Sequence, residues 1–133
     1  MPGDNFTTVG AGLVANPTAI KLASFGAASE NGTLVVRWAT SLELRTYGFR
    51  LYRSATGRLA DAVLVTPGLI AATGSSSQGA SYRWTDYSAA AGVRYSYWLE
   101  EIELSGTSTV YGPAHAARPA GATLQLFLPV AAR

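Results

Sequence analysis

Residues 35–54 read VVRWATSLELRTYGFRLYRS, and the spacing of their apolar residues decides the fold. Together with Leu34, the side chains of Val36 and Trp38 fall on one face of an extended chain, and Val35 and Arg37 fall on the other. Successive residues of a strand point to opposite sides, so this is the signature of a sheet. After a polar interruption the alternation resumes: Phe49 and Leu51 face one way, Arg50 and Tyr52 the other. A helix would repeat its apolar residues every three to four positions. The stretch therefore holds two short strands and the connection between them.

The same period of two recurs along the chain. In ASYRWTDY (80–87), Tyr82 and Trp84 alternate with Ser81, Arg83 and Thr85. In GVRYSYWLEEIEL (92–104), Val93, Tyr95, Tyr97 and Leu99 alternate with Arg94, Ser96, Trp98 and Glu100. In TSTVYGP (107–113), Val110 opposes Thr109 and Tyr111, and in AIKLASF (19–25) Phe25 is out of phase with Ile20 and Leu22, which predicts a bulge. Asn31-Gly32 and Ser105-Gly106 supply hairpin turns, and TPG, GSSSQG and AAAG punctuate the middle. ATGRLADAVL (55–64) has room for one helical turn. Strands are expected near 19–27, 33–40, 47–54, 68–73, 80–86, 93–104 and 107–116. Short strands at such spacing make an antiparallel sandwich or barrel.

Composition agrees. The chain has 133 residues, 48% hydrophobic and 14% charged, enough for one domain with its own core. Nine arginines, Lys21 and eight acidic residues give a net charge of +2 with no basic cluster, which argues against nucleic-acid binding. Without cysteine there are no disulfides and no thiolate metal ligands. No apolar run approaches the roughly 20 residues of a membrane span. MPGDNFTTVG lacks the basic and apolar regions of a secretory leader.

The stretch from Leu34 to Pro113 resembles the fibronectin type III-like modules of bacterial secreted and surface proteins. The residues that carry the resemblance are Trp38, the run GFRLYRS (48–54), the corner Asp86…Gly92…Tyr95, and Gly112-Pro113. The resemblance spans about residues 18 to 116 and implies an all-β, antiparallel immunoglobulin/fibronectin III-like sandwich of about seven core strands. It further implies an extracellular or cell-surface, noncatalytic spacer or interaction module, with Tyr95 as a corner tyrosine bonding nearby backbone. The GSSSQG loop (74–79) departs from the family's short connection, and both chain ends lie outside the pattern. The expected organisation is an N-terminal extension (1–17), the sandwich (18–117), and a hinge with a strand-like C-terminal tail (118–133), the hinge being ARPAGA.

Chemistry-bearing residues are sparse. His115 is the one histidine and has no marked serine elbow near it. A hydrolase needs a base beside a nucleophile and an orienting carboxylate. A metal needs more ligands than one imidazole and scattered carboxylates. Glu100, Glu101 and Glu103 read as a solvated strand end pairing with Arg50 or Arg53. GSSSQG has no following helix and no phosphate-binding lysine, so it reads as a flexible connection. The expectation is no catalysis, no cofactor and no metal.

The outer face of one sheet is more informative. With Phe49, Leu51, Tyr97, Leu99 and Val110 inward, Arg50, Tyr52, Trp98, Glu100 and Tyr111 point outward, so Tyr52, Trp98 and Tyr111 would form an aromatic stripe over three neighbouring strands. An exposed apolar patch of this kind takes a ligand or a partner. The candidate interaction surface is therefore Arg50, Tyr52, Trp98 and Tyr111. A polysaccharide stacking on the rings would make a carbohydrate-binding module; a protein, from another copy or a neighbouring domain, would make an interaction module. The tail TLQLFLPV (123–130) has apolar residues on both parities, Leu124, Leu126, Leu128 and Val130 on one and Phe127 on the other. A strand apolar on both faces wants burial on both. It is either an added strand of its own sandwich or one exchanged with a neighbour, which would build a filament or surface array.

Overall fold

The structure, a computed structural model, describes residues 20–120, with side chains from Leu22 onward. The elements are β1 (Ile20–Glu30), β2 (Thr33–Glu43), β3 (Thr46–Ser54), a single 3-10 turn (Leu59–Asp61), β4 (Val63–Leu64), β5 (Ile70–Ala71), β6 (Ser81–Asp86), β7 (Arg94–Glu103) and β8 (Ser108–Ala117). No α-helix occurs among the described residues. The first sheet has the order β1-β2-β6 and the second β4-β3-β7-β8, with β5 also pairing with β3. All the pairings are antiparallel. The predicted sandwich is the observed one; the strand expected near 68–73 is reduced to the two residues of β5, and a further two-residue piece, β4, also lies along β3.

Local chemistry explains the turns. Asn31 and Gly32 close the β1–β2 hairpin with φ of 52° and 81°. Both are left-handed, the conformation a two-residue hairpin needs to match strand twist. The bulge expected at Phe25 is present as register shifts between Lys21 and Leu22 and between Leu22 and Ser24. Beyond it, β1 follows β2 in unbroken register from Ser24 to Glu30.

Leu34, Val36, Trp38, Phe49, Leu51, Tyr97 and Leu99 fill the space between the sheets, each at most 1% exposed. Burying a side chain of this size stabilises by roughly 2 kcal/mol. Trp38 stacks on Tyr82 at 5.2 Å and meets Phe49 edge-on at 5.7 Å, and Phe49 reaches Tyr82 at 4.9 Å. These three rings tie β2, β3 and β6 across the two sheets.

Alternation also breaks in the pairing of the last two strands. The register of β7 with β8 shifts between Tyr97 and Leu99, so Leu99 lies opposite Tyr111 and Glu100 opposite Val110. Tyr111 therefore turns inward and packs on the core, and Val110 turns outward, 44% exposed. The sequence pattern placed both the other way round. A one-residue slip inverts every side chain beyond it.

The loop after β5 is pinned, contrary to the flexible connection expected. Thr40 N donates to Ala80 O (2.9 Å), Ala80 N to Thr40 Oγ1 (3.0 Å) and Gly74 N to Glu43 Oε1 (2.7 Å). Gly79 lies so close to β2 that an added Cβ would fall 1.7 Å from Thr40 O. Gly79→Ala should thus push the loop off β2, at a cost of about 2 kcal/mol for the two bonds to Thr40. Gly68, with nothing within 4 Å of an added Cβ, is the control. Urea unfolding of the two variants should show a loss for Gly79→Ala and a change within about 0.5 kcal/mol for Gly68→Ala.

Candidate functional site

At the pole where the β1–β2 turn and the β6–β7 loop meet, Asp86 ends β6 at 3% exposure. Its Oδ2 accepts from Arg53 Nη1 (2.8 Å) and from Tyr97 OH (2.7 Å), and its Oδ1 from Ser88 Oγ (2.7 Å). Burial by itself would raise its pKa; the bonds from Tyr97, Ser88 and Arg53 outweigh that and hold it below the usual carboxylate value. The Tyr97 hydroxyl is pushed up, by burial first and by Asp86 second. Arg53 also covers the Tyr95 ring at 4.5 Å, and Tyr95 OH accepts from Ala90 N (2.9 Å). Arg118 donates from Nε to Gly32 O (2.8 Å) and from Nη1 to Ala89 O, fastening the end of β8 to both loops.

The opposite pole holds acids. Glu43, 4% exposed, accepts from Thr40 Oγ1, Tyr82 OH and Gly74 N. Glu101 is fully buried, and neither of its oxygens has a hydrogen bond of ordinary geometry. Burial, then the charge of Glu103, pushes its pKa up to about 7, with Glu43 adding to the rise and the Thr46 hydroxyl opposing it. The sequence reading of this glutamate run as a solvated, arginine-paired end is correct for Glu100 alone: Glu100 meets Arg50 at 3.7 Å, while Arg53 is committed to Asp86 and Glu101 is interior.

On the outer face of the larger sheet, Tyr52 lies opposite Trp98 and Arg50 opposite Glu100. Tyr52 OH donates to Glu100 Oε1 (2.9 Å). Burial raises the pKa of that phenol and the bond to Glu100 raises it further. On the same sheet Ser96 Oγ lies 2.8 Å from His115 Nδ1. This is the cross-strand pair Ser96–His115, and no hydrogen bond or ion pair joins a carboxylate to His115 among the described residues. The arrangement lacks the third member that makes such a pair a nucleophile. No group of three His, Asp or Glu suited to a metal ion occurs among the described residues, and no helix there is long and apolar enough to cross a membrane.

A concavity lies along β1. It is a groove of about 350 Å³ lined by Ser24 to Ala28, Glu30, Val35 and Arg37. Its shape follows from small residues, since Gly26 has nothing within 4 Å of an added Cβ. At its rim Glu30 pairs with Arg37 (2.8 Å) and reaches Arg83 (3.5 Å), bridging all three strands of the smaller sheet.

No family model and no curated protein matches the sequence. Among solved structures, the chain is similar to an Fn3-like protein from Clostridium thermocellum, with a TM-score of 0.52 and 18% identity over 77% of this chain and 96% of that one. The fold is a fibronectin type III-like sandwich. Its corner tyrosine is where the sequence resemblance implied, with Tyr95 bonding backbone five residues upstream.

In this fibronectin III-like frame the predicted interaction residues separate. Arg50, Tyr52 and Trp98 share the outer face; Tyr111 is on the other side of its strand, so the three-ring stripe does not form. Trp98 is 5% exposed, which leaves almost none of its ring for a ligand to stack on. Leu124, Leu126, Phe127, Leu128 and Val130 lie outside the described residues. The sequence reading missed the β1 groove, although FGAAS (25–29) signals it: small residues on a strand leave room beside the backbone.

Proposed function

We propose that this chain is a noncatalytic structural and interaction module of an extracellular or cell-surface protein, working by strand addition at the free edge of β1. One observation supports the reading most. Among the described residues β1 is an edge strand of 11 residues, and from Leu22 to Ser29 it carries neither charge nor proline. Natural sheets blunt exposed edges with charge, proline or shortness, because an open row of N–H and C=O groups templates another strand. The other edges are blunted: β4 has two residues, β6 is short and carries Arg83, and β8 contains Pro113. The unprotected edge is also the one with a groove beside it. Main-chain bonds would give affinity there and the groove would select small or apolar side chains. The same edge is the route by which copies join into a filament or array.

Ala28→Lys places a charge on this edge at an exposed position. Sedimentation over a concentration series should show reversible self-association of the intact chain and a monomer for Ala28→Lys. Equal association of the two would remove β1 from the reading. Recovery of the protein solely from the cytosol of its source cells would remove the extracellular part.

A further inference from the structure

Resting on that reading of β1, we infer that the edge has a built-in occupant: the chain's own C-terminal segment, Leu124–Val130, adds to β1 as an antiparallel strand and caps it.

The direction of the chain comes first. β8 ends at Ala117, and Arg118 is bonded to Gly32 O in the β1–β2 turn and to Ala89 O. Gly92 N donates to Arg118 O (2.8 Å) and Arg118 N to Val93 O (3.2 Å), which fixes the main chain of Arg118 as well. The chain therefore leaves the sandwich at the pole where β1 finishes. A strand starting there and running back along β1 is antiparallel to it, the pairing that a short connection permits.

Reach and length agree. Five residues separate Arg118 from Leu124, spanning at most about 20 Å when extended. A strand adds at about 4.8 Å from its neighbour. Pro119 and Gly121 lie in this connection and suit a reversal. Such a tether keeps the segment near the edge at an effective concentration on the order of millimolar. The regular part of β1, Ser24–Glu30, has seven residues, and so has Leu124–Val130. Antiparallel addition puts Pro129 near Ser24, where the register of β1 becomes irregular, and a proline is tolerated at a strand end.

One parity of the segment is wholly apolar, Leu124, Leu126, Leu128 and Val130, and the other carries Phe127 between Gln125 and Pro129; a strand with apolar side chains on both faces is stable where both are covered. The groove floor of Phe25, Gly26, Ala27, Ala28 and Val35 is apolar and has open space over Gly26.

The experiment is amide hydrogen exchange on the full chain, with light scattering on the same samples. In the intact monomer the amides of Ser24–Glu30 that point away from β2 should be protected. Leu126→Asp with Leu128→Asp should speed their exchange at least tenfold and leave β7 unchanged. The same variant should self-associate at a concentration at least tenfold lower, since its edge is uncovered. Leu126→Val with Leu128→Val should retain protection. Edge exchange that is equal in the intact chain and the aspartate variant overturns the inference. So does loss of association in that variant, which identifies the segment of a second copy as the occupant. If association still depends on Ala28 while exchange ignores the tail, the β1 reading stands and the cap fails. If exchange responds to the tail but association ignores Ala28→Lys, the cap stands and the β1 assembly reading fails.

Discussion

Glu101→Gln should abolish most of the pH dependence of stability between pH 5 and 8. The wild-type carboxyl has an ordinary value of 4.5 and is raised to about 7 in the folded chain, by burial first and by Glu103 second. The folded protein therefore holds a proton that the unfolded chain has already released over this range. Stability from this group is fully present below pH 4.5, falls as the pH rises, and levels off once the pH has passed about 7. A displacement of this size corresponds to about 3 kcal/mol, or a fall in Tm of about 10 °C for a domain of this length. The amide variant carries no charge to desolvate, so its Tm should be nearly flat from pH 5 to pH 8. Thermal unfolding of both proteins at four pH values makes the comparison. A wild-type slope that survives in Glu101→Gln would assign the pH dependence to other groups.

Asp86→Ala should cost about 3–5 kcal/mol, because it leaves the Arg53 guanidinium half enclosed without its counter-charge. Tyr97 OH and Ser88 Oγ lose their acceptor in the same step. Removing both charged partners together, Asp86→Leu with Arg53→Leu, should cost less than the sum of the two single changes, since no stranded charge remains. Urea denaturation of the wild type, Asp86→Leu, Arg53→Leu and the double variant closes the cycle. Additive losses would mean that the pair acts as two independent surface groups. Because the pKa of Asp86 is depressed, its contribution is present above the ordinary value of 3.8 and disappears as the pH falls through the lower folded value. The two acids thus act in opposite directions: acidification relieves Glu101 and disarms Asp86.

Much of the architecture was legible in the chain because it rests on local rules. Asn31-Gly32 specifies a turn by its own backbone preferences, and Leu34, Val36 and Trp38 specify a buried face by spacing. Phe25 announced its bulge by breaking phase. Tyr111 was not legible, since its orientation depends on a register shift against β7, and a shift belongs to a pair of strands. Glu101 had a readable signal: it shares parity with Tyr97 and Leu99, and the general rule that carboxylates stay wet overrode it. The clamp at Arg118 joins residues 86 apart, a distance at which no periodicity speaks. The β1 groove was hidden for a different reason. It is defined by what FGAAS omits, and an absent side chain has meaning only once the neighbouring strands are placed.

The clamp also has a mechanical consequence. Tension entering from residue 120 meets Arg118 before it meets β8, and is handed to the carbonyls of Gly32 and Ala89. Those carbonyls sit in the turn of one sheet and in the loop that leads into the other. Load is thereby shared across both layers, and the last strand cannot be unzipped from its free end until that guanidinium lets go.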